Sequence, residues 1–278
     1  MYEINCIDET FDPNFTTEYT LSIQLSLDGF SFCIRDDIRR MYLVFKHFPF
    51  QLSNNTFLLR KVKELLEQQE ELGKNYKKVL ISIASHKITA IPGTFENPDT
   101  EKIFSFNFDK AEDENVLTLQ EDFFKINLAF SFPSEIEELL SRHFNKAVFT
   151  HQAELLLKLA AQRAQGAESS TLISISKRFF TIIVTHNKKL AIINSYAYSN
   201  NMDVIFYILN IFKSQGLNMQ NSPVSLTGEL EKESPLVEFL RKNFSKVEFI
   251  ELAKNYQYSY TFSKFPQHMF VSVINPEQ

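Results

Sequence analysis

The N-terminal part of the chain alternates apolar and polar residues, the spacing of strands with one buried face. The apolar positions of this stretch are Leu21, Ile23, Leu25, Leu27, Phe30, Phe32 and Ile34. Asp28-Gly29 interrupts the alternation, and such a pair between two alternating runs predicts a hairpin with a type I′ turn. A second turn at Asp36-Asp37 and the apolar residues 41–48 complete a predicted meander of three strands.

A helix is predicted directly after this meander. Residues 57–72 have apolar positions at helical spacing, Asn54 or Asn55 is suited to cap the first turn, and Gly73 is placed to end the helix. The run KKVLISIA then predicts a buried strand.

The same order of elements recurs near residue 170. Residues 170–198 form three short apolar runs, residues 202–217 have helical spacing up to Gly216, and the run SPVSLTGEL predicts a strand. The turns of this second meander fall near Lys177-Arg178 and Asn187-Lys188. A repeat of roughly 150 residues is too long for a solenoid and is typical of domain duplication.

The middle of the chain adds further elements. Residues 86–132 predict a short helix and two strands, Pro133 begins a helix, KAVFTH predicts a strand, and residues 152–165 a long helix. The small and polar residues 166–170 are the best candidate for a linker. The prediction is therefore an α/β protein with mixed sheets flanked by helices, divided into residues 1–168 and 169–278.

Composition and charge restrict the function. The formal net charge is −5 and no block of lysine and arginine occurs, which argues against nucleic-acid binding. Cys6 and Cys33 are too few for a disulfide framework or a zinc cluster and fit a reduced cytoplasm. The acidic start lacks a signal-peptide pattern, and no apolar run approaches the ~18 residues of a membrane span. With 28 Phe and no Trp, phenylalanine must fill much of the core.

Common catalytic motifs are absent from the sequence. Neither a G-x-x-x-x-G-K-[ST] nor a G-x-G-x-x-G loop occurs, and the six histidines are scattered. A two-metal nuclease needs several carboxylates at strand ends. Asp28 supplies one, but the run VLISIASH supplies no second, so nuclease activity is not expected.

Aromatic residues alternate near the C-terminus. The positions are Tyr256, Tyr258, Tyr260 and Phe262. This spacing predicts a strand with an aromatic ladder on one face. Two roles are open for it: packing on a helix, or docking a partner at a sheet edge.

Two meanders, each followed by helix and strand, resemble the duplicated ribonuclease H-like fold of actin-like ATPases. LSLDGFSF is similar to the first phosphate loop of that superfamily, and VSLTGELEKESPLVEFL is similar to its adenosine loop. The layout between them resembles the pilus-assembly and secretion-platform members. The whole is most similar to an uncharacterised bacterial family with an actin-like ATPase fold.

The resemblance implies a nucleotide cleft whose loops are altered here. The residues placed at it are Asp28, Gly29, Lys177, Thr227 and Gly228. The second phosphate loop reads Ser176-Lys177-Arg178, without the carboxylate and glycine of the superfamily. In the adenosine loop, Glu229 replaces the second glycine and would repel an anionic ligand. Each loop also has an interpretation without a ligand. The residues around Gly228 can simply connect a strand to a helix, and Lys177 and Arg178 can be solvated surface charges of a hairpin turn.

Two functions follow from this sequence. The first is a non-catalytic scaffold or interaction protein that has a protein partner and no cofactor. The second is an ATP-binding protein or weak ATPase of the actin-like superfamily that uses ATP and Mg²⁺.

Overall fold

The computed structural model describes residues 2–95, 98–166 and 168–274. The strands are β1 (Ile4–Ile7), β2 (Tyr19–Ser26), β3 (Gly29–Asp36), β4 (Met41–Pro49), β5 (Lys78–Ile83), β6 (Ile88–Pro92), β7 (Glu114–Glu121), β8 (Ile126–Pro133), β9 (Ala147–His151), β10 (Ser169–Ile175), β11 (Phe179–His186), β12 (Lys189–Ala197), β13 (Pro223–Gly228), β14 (Lys246–Phe249) and β15 (Gln257–Tyr258). The α-helices are α1 (Asn55–Gln68), α2 (Thr100–Ser105), α3 (Ser134–His143), α4 (Gln152–Ala164), α5 (Asn201–Ser214), α6 (Pro235–Asn243) and α7 (Val271–Ile274).

Two sheets repeat one topology. The first has the order β1-β4-β3-β2-β5-β9, and the second has the order β12-β11-β10-β13-β14. Apart from β1, each contains an antiparallel meander followed by two strands that pair in parallel. The predicted mixed α/β fold with a duplicated element order is therefore confirmed, whereas the division between residues 168 and 169 stays a prediction.

Capping residues set where several helices begin. The side chain of Asn54 accepts a hydrogen bond from the amide of Phe57 at the start of α1. Asn200 and Asp203 form a capping box on α5. Helix α1 ends at Gln68, before the predicted end at Gly73, because the chain tightens there into a 3₁₀ turn over Glu70–Gly73.

Phenylalanine fills much of the core, as the composition predicts. Two buried clusters follow the two main sheets. Among the largest fully buried side chains are Phe30, Phe32, Phe45, Phe104, Phe130, Phe132, Phe180, Phe212 and Phe262. Burial of each of these side chains stabilises the fold by on the order of 2–3 kcal/mol.

A third sheet is inserted between β5 and α3. Its order is β6-β8-β7, and α2 packs against it. The prediction of two strands in this region was short by one, because β6 has only five residues and ends in Pro92. None of the helices in the described ranges is long and apolar enough to span a membrane.

The predicted type I′ turn at Asp28-Gly29 is wrong. Ser26 pairs with Gly29, so Leu27 and Asp28 form the turn and Gly29 already belongs to β3. Gly29 has no positive φ; instead, a Cβ there would lie 3.0 Å from Cε1 of His47. The absence of a side chain at Gly29 therefore lets His47 of β4 lie close to β3. Both central residues have positive φ in the turn at Asn187 and Lys188.

The predicted aromatic strand near the C-terminus is also wrong. Only Gln257–Tyr258 is a strand, paired in parallel with β4, and a 3₁₀ turn over Tyr260–Lys264 follows. The hydroxyl of Ser259 accepts a hydrogen bond from the amide of Thr261, which begins that turn. The aromatic rings pack on a sheet strand and not on a helix: Tyr258 stacks on Tyr42 with ring centroids 5.2 Å apart.

The last described residues bridge the two halves of the chain. Helix α7 contacts β2 and β3 of the first sheet. The 3₁₀ turn before it, Gln267–Phe270, contacts β13 of the second sheet. We call residues 259–274 the C-terminal segment.

Candidate functional site

Two hairpin turns, one from each half, meet at the cleft between the sheets. Asp28 lies in the turn between β2 and β3, and Arg178 lies between β10 and β11. Nε of Arg178 is 2.8 Å from Oδ1 of Asp28. Nη2 of Arg178 also donates a hydrogen bond of 2.8 Å to the carbonyl oxygen of Leu52. One guanidinium therefore holds two points of the first half.

The turn that carries Arg178 is fixed by its own neighbours. The amide of Ser176 donates to the carbonyl of Phe179 at 2.9 Å, and the hydroxyl of Tyr198 donates to the carbonyl of Ser176 at 2.7 Å. Lys177, at the tip, is exposed. Two backbone groups of this turn are thus committed to neighbouring strands.

Gly228 is required by the backbone. It ends β13 with a φ of +88°, and it pairs with Ile175 of β10. A Cβ at this position would lie 2.1 Å from the carbonyl oxygen of Ile175, to which the amide of Glu229 donates a 2.7 Å hydrogen bond. The close approach of β10 explains this glycine without any ligand.

Thr227 holds the C-terminal segment. Its hydroxyl donates a 2.7 Å hydrogen bond to the carbonyl oxygen of His268. Nε2 of His268 lies 2.9 Å from the carbonyl oxygen of Leu230, to which it donates. Burial lowers the pKa of His268, Lys232 adds to the shift, and the bond to Leu230 opposes it. The strand end and the segment are therefore clamped together.

Glu229 lies beside Asp28 at the mouth of the cleft. Desolvation and then repulsion by Asp28 raise the pKa of Glu229, and Lys177 opposes this. More than a third of Glu229 remains exposed, so water screens these interactions. The site is consequently acidic on the side where the resemblance implies an adenosine loop.

Two cavities border Asp28. One has a volume of about 310 Å³, and its wall includes Asp28 and Arg178 from the two turns. The other has about 50 Å³ and lies between the first turn, Glu229 and the C-terminal segment. Its walls are Gln24, Ser26, Asp28, Gly29, Ser31, His47, Glu229, Met269, Phe270, Ser272 and Val273. The hydroxyl of Ser272 donates a 2.6 Å hydrogen bond to Oε1 of Gln24, which ties α7 to β2.

His47 is a buried polar group of this cavity. Nδ1 of His47 is 2.8 Å from the hydroxyl of Ser31, and its Nε2 has no hydrogen-bond partner among the described residues. Burial lowers the pKa of His47 to about 4. The ring is therefore neutral near pH 7.

A wider depression adjoins Glu229 on its other side. It has a volume of about 580 Å³. Its walls are Tyr2, Ile4, Glu229, Glu231, Lys232, Pro266, His268, Met269 and Phe270. Within the described residues, no group of three or more histidine, cysteine, aspartate or glutamate side chains is arranged to hold a metal ion.

The residues predicted for the cleft do not form one set. Asp28 and Gly29 line the small cavity, whereas Thr227 and Gly228 make structural contacts at the end of β13. Lys177 acts on Glu229 through its charge. Whether any of these residues binds a nucleotide stays a prediction.

Sequence reasoning missed the groups that the chain folds into the cleft. His47 and Ser272 lie in ordinary apolar surroundings in the sequence and have no motif. One signal was present for Arg178: opposite charges on two turns that the resemblance places at one cleft.

Solved structures of low sequence identity share this fold. A protein from Bacteroides thetaiotaomicron VPI-5482, described as having an actin-like ATPase fold and unknown function, is 26% identical, with a TM-score of 0.78 over 87% of this chain and 94% of that one. A chain of the PilM–PilN type IV pilus biogenesis complex is 11% identical, with a TM-score of 0.57 over 93% and 97%. The ethanolamine utilization protein EutJ from Carboxydothermus hydrogenoformans is 10% identical, with a TM-score of 0.50 over 97% and 93%.

Sequence comparison places the chain in a family. No curated protein is significantly similar in sequence. The model of the family described as "Protein of unknown function (DUF3822)" matches residues 8–247. The chain therefore belongs to the DUF3822 family, and its fold is that of the actin-like ATPases.

Proposed function

We propose that the protein is a non-catalytic scaffold or interaction protein with an actin-like fold. The observation that supports this most is the ion pair between Arg178 and Asp28. By the resemblance, these two turns are where an actin-like ATPase would surround the phosphates of its nucleotide. Here a side chain of one turn occupies the space by binding the other.

The smaller of the two cavities beside Asp28 supports the same proposal. Ligand pockets for small molecules are usually ~300–1,000 Å³. Asp28 borders two cavities, and the one under the C-terminal segment has about 50 Å³, with Met269, Phe270 and Val273 in its wall. A triphosphate does not fit this smaller cavity unless the C-terminal segment moves. The other cavity has about 310 Å³, at the lower limit of the usual range, and Arg178 forms part of its wall.

The negative charge of Glu229 also disfavours nucleotide binding. A phosphate group near Glu229 would meet a carboxylate, at a cost on the order of 4 kcal/mol for unit charges about 4 Å apart at an effective dielectric of about 20. Such a cost lowers affinity roughly a thousand-fold. The sequence offers Lys177 as an offset, but that side chain is exposed at the turn tip.

A protein partner in the cytoplasm completes the proposal. One structural neighbour was solved within a PilM–PilN complex, which is an assembly of this fold with another protein. Cys6 and Cys33 are both free and buried, in keeping with a reducing compartment. The net charge of −5 supports the absence of nucleic acid among the partners.

The alternative is an ATP-binding protein or weak ATPase. The depression of about 580 Å³ beside Glu229 favours it, because that volume is sufficient for a nucleoside. Its wall contains Lys232, which would face the phosphates of a ligand bound there.

Calorimetric titration with ATP and Mg²⁺ separates the two proposals. The scaffold proposal expects no binding tighter than millimolar and no phosphate release above the rate without protein. Saturable binding tighter than about 100 μM, or roughly −5.5 kcal/mol, would overturn it.

A further inference from the structure

A second groove lies away from the cleft, between two sheet edges. Among the described residues, β12 pairs with β11 alone at one edge of the second sheet, and β6 pairs with β8 alone at one edge of the inserted sheet. The two edges contact each other. The groove between them has a volume of about 720 Å³. An exposed edge offers a row of unpaired backbone groups to another chain.

The rim of this groove is cationic. Lys125, Lys188 and Lys189 line it, and all three are exposed. None of the residues that form its walls is an aspartate or glutamate. Across the described ranges, these three lysines have no ion-pair partner. A positive rim without counter-charge stands out on a chain whose net charge is −5.

The floor of the groove is apolar. Leu190 and Ile193 of β12 are half-buried and share one face of the strand, and they line the groove together with Phe124 from the turn between β7 and β8. Ile192 packs on the opposite face, against the core of the second sheet. A segment laid along β12 would cover apolar side chains and pair with backbone groups at once. This is the arrangement by which extended peptides add to a sheet edge.

We propose that this groove binds an extended segment of a partner protein in which acidic residues flank β-branched or other apolar residues. The apolar residues would cover Leu190 and Ile193, and the carboxylates would contact the rim lysines. The inference rests on the proposed function as an interaction protein and gives its partner a chemical class.

An alternative role for the three lysines is to prevent aggregation, because charged residues at a sheet edge disfavour pairing with another chain. That role needs only positive charge and no complementary ligand. The two roles differ in whether acidic sequences bind and in whether binding depends on these particular lysines.

The test is a selection of random twelve-residue peptides displayed against the whole chain. Three chains are selected in parallel: the wild type, K188E/K189E, and the control K74E/K146E. Lys146 matches Lys188 because both are exposed and have a φ of 62°. Lys74 is likewise exposed. Both variants change the net charge by the same amount.

The expected result is a set of peptides, rich in Asp, Glu, Val and Ile, that is enriched on the wild type and the control and depleted at least ten-fold on K188E/K189E. Hydrogen exchange of the complex should slow at the amides of β12. No enrichment, equal enrichment on all three chains, or enrichment of basic peptides would overturn the proposal. Because ATP binding is measured separately, failure of the groove leaves the scaffold proposal standing, and the two failures are distinguished by different measurements.

Discussion

Arg178 forms an ion pair with Asp28 across the two halves of the molecule, with Nε 2.8 Å from Oδ1. The side chain of Asp28 is only 9% exposed, whereas that of Arg178 is 36% exposed. The carboxylate is therefore nearly desolvated and depends on a partner that still contacts water. This unequal burial determines what removal of either side chain should do.

Arg178→Gln should destabilise the protein by about 1–2 kcal/mol, because Asp28 would stay buried without its counter-charge. The cycle of Arg178→Gln, Asp28→Asn and the double variant should give a coupling of about 1 kcal/mol in urea unfolding. The exposed pair Arg142 and Glu138 is the control, with a coupling below about 0.5 kcal/mol. Equal couplings for the two pairs would show that the buried pair between the turns contributes no more than an exposed one.

Gly228→Ala should be severely destabilising. The added Cβ would lie 2.1 Å from the carbonyl oxygen of Ile175, at a φ of +88°. We expect a loss of more than about 3 kcal/mol, because β10 and β13 must separate. Gly216→Ala is the matched control: its φ is +62° and nothing lies within 4 Å of its Cβ, so about 1 kcal/mol is expected. Thermal unfolding of both variants checks this, and similar losses would contradict it.

Glu229→Gly should not produce ATP hydrolysis. It removes the repulsive carboxylate, but the second turn still reads Ser176-Lys177-Arg178 and offers no carboxylate for a metal ion. Phosphate release is to be measured with Mg²⁺ and compared with the rate without protein. Release above that rate would mean that the remaining site is intact and that the interpretation of the second turn is mistaken.

Stability should fall between pH 6.5 and about pH 4 because of His47. Its folded-state pKa of about 4 lies below the ordinary value of 6.5, so the unfolded chain takes up the proton first as the pH falls. The full effect on the free energy of unfolding is about 3 kcal/mol. In His47→Gln this part of the loss should be absent in urea unfolding at pH 7, 5.5 and 4.5. An unchanged pH profile would contradict the assignment.

Glu229 should act in the opposite direction. Its folded-state pKa is raised, so the folded state loses stability as the pH rises from its ordinary value of 4.5 through the folded value. Glu229→Gln should remove this loss and should be at least as stable as the wild type at pH 7. A less stable Glu229→Gln variant would indicate that the carboxylate makes a favourable contact.

The sequence predicts those parts of the fold that depend on local patterning. Alternation at Leu21 to Ile34 and helical spacing after Asn54 decide which face is buried, and each pattern is complete within a few residues. The duplication then follows because the same order occurs twice.

What could not be predicted depends on contacts between distant residues. Thr227 binds the carbonyl of His268, 41 residues away, and Gly29 is needed because His47 approaches it from the adjacent strand β4. Strand β1 has four residues, too few for periodicity to appear. The candidate site is assembled from such contacts, which is why its residues were only partly found.

The C-terminal segment has a consequence for how the chain acquires its fold during synthesis. Phe45 of β4 is covered by Phe262, Phe265 and Phe270, with ring centroids 6.1, 4.7 and 4.8 Å away. A ribosome makes Phe45 more than two hundred residues before these partners. The first sheet therefore keeps an uncovered apolar surface until residues 262–270 emerge from the ribosome. The two halves mature as one unit, and a nascent chain that stalls after the first half is the form most exposed to chaperones and aggregation.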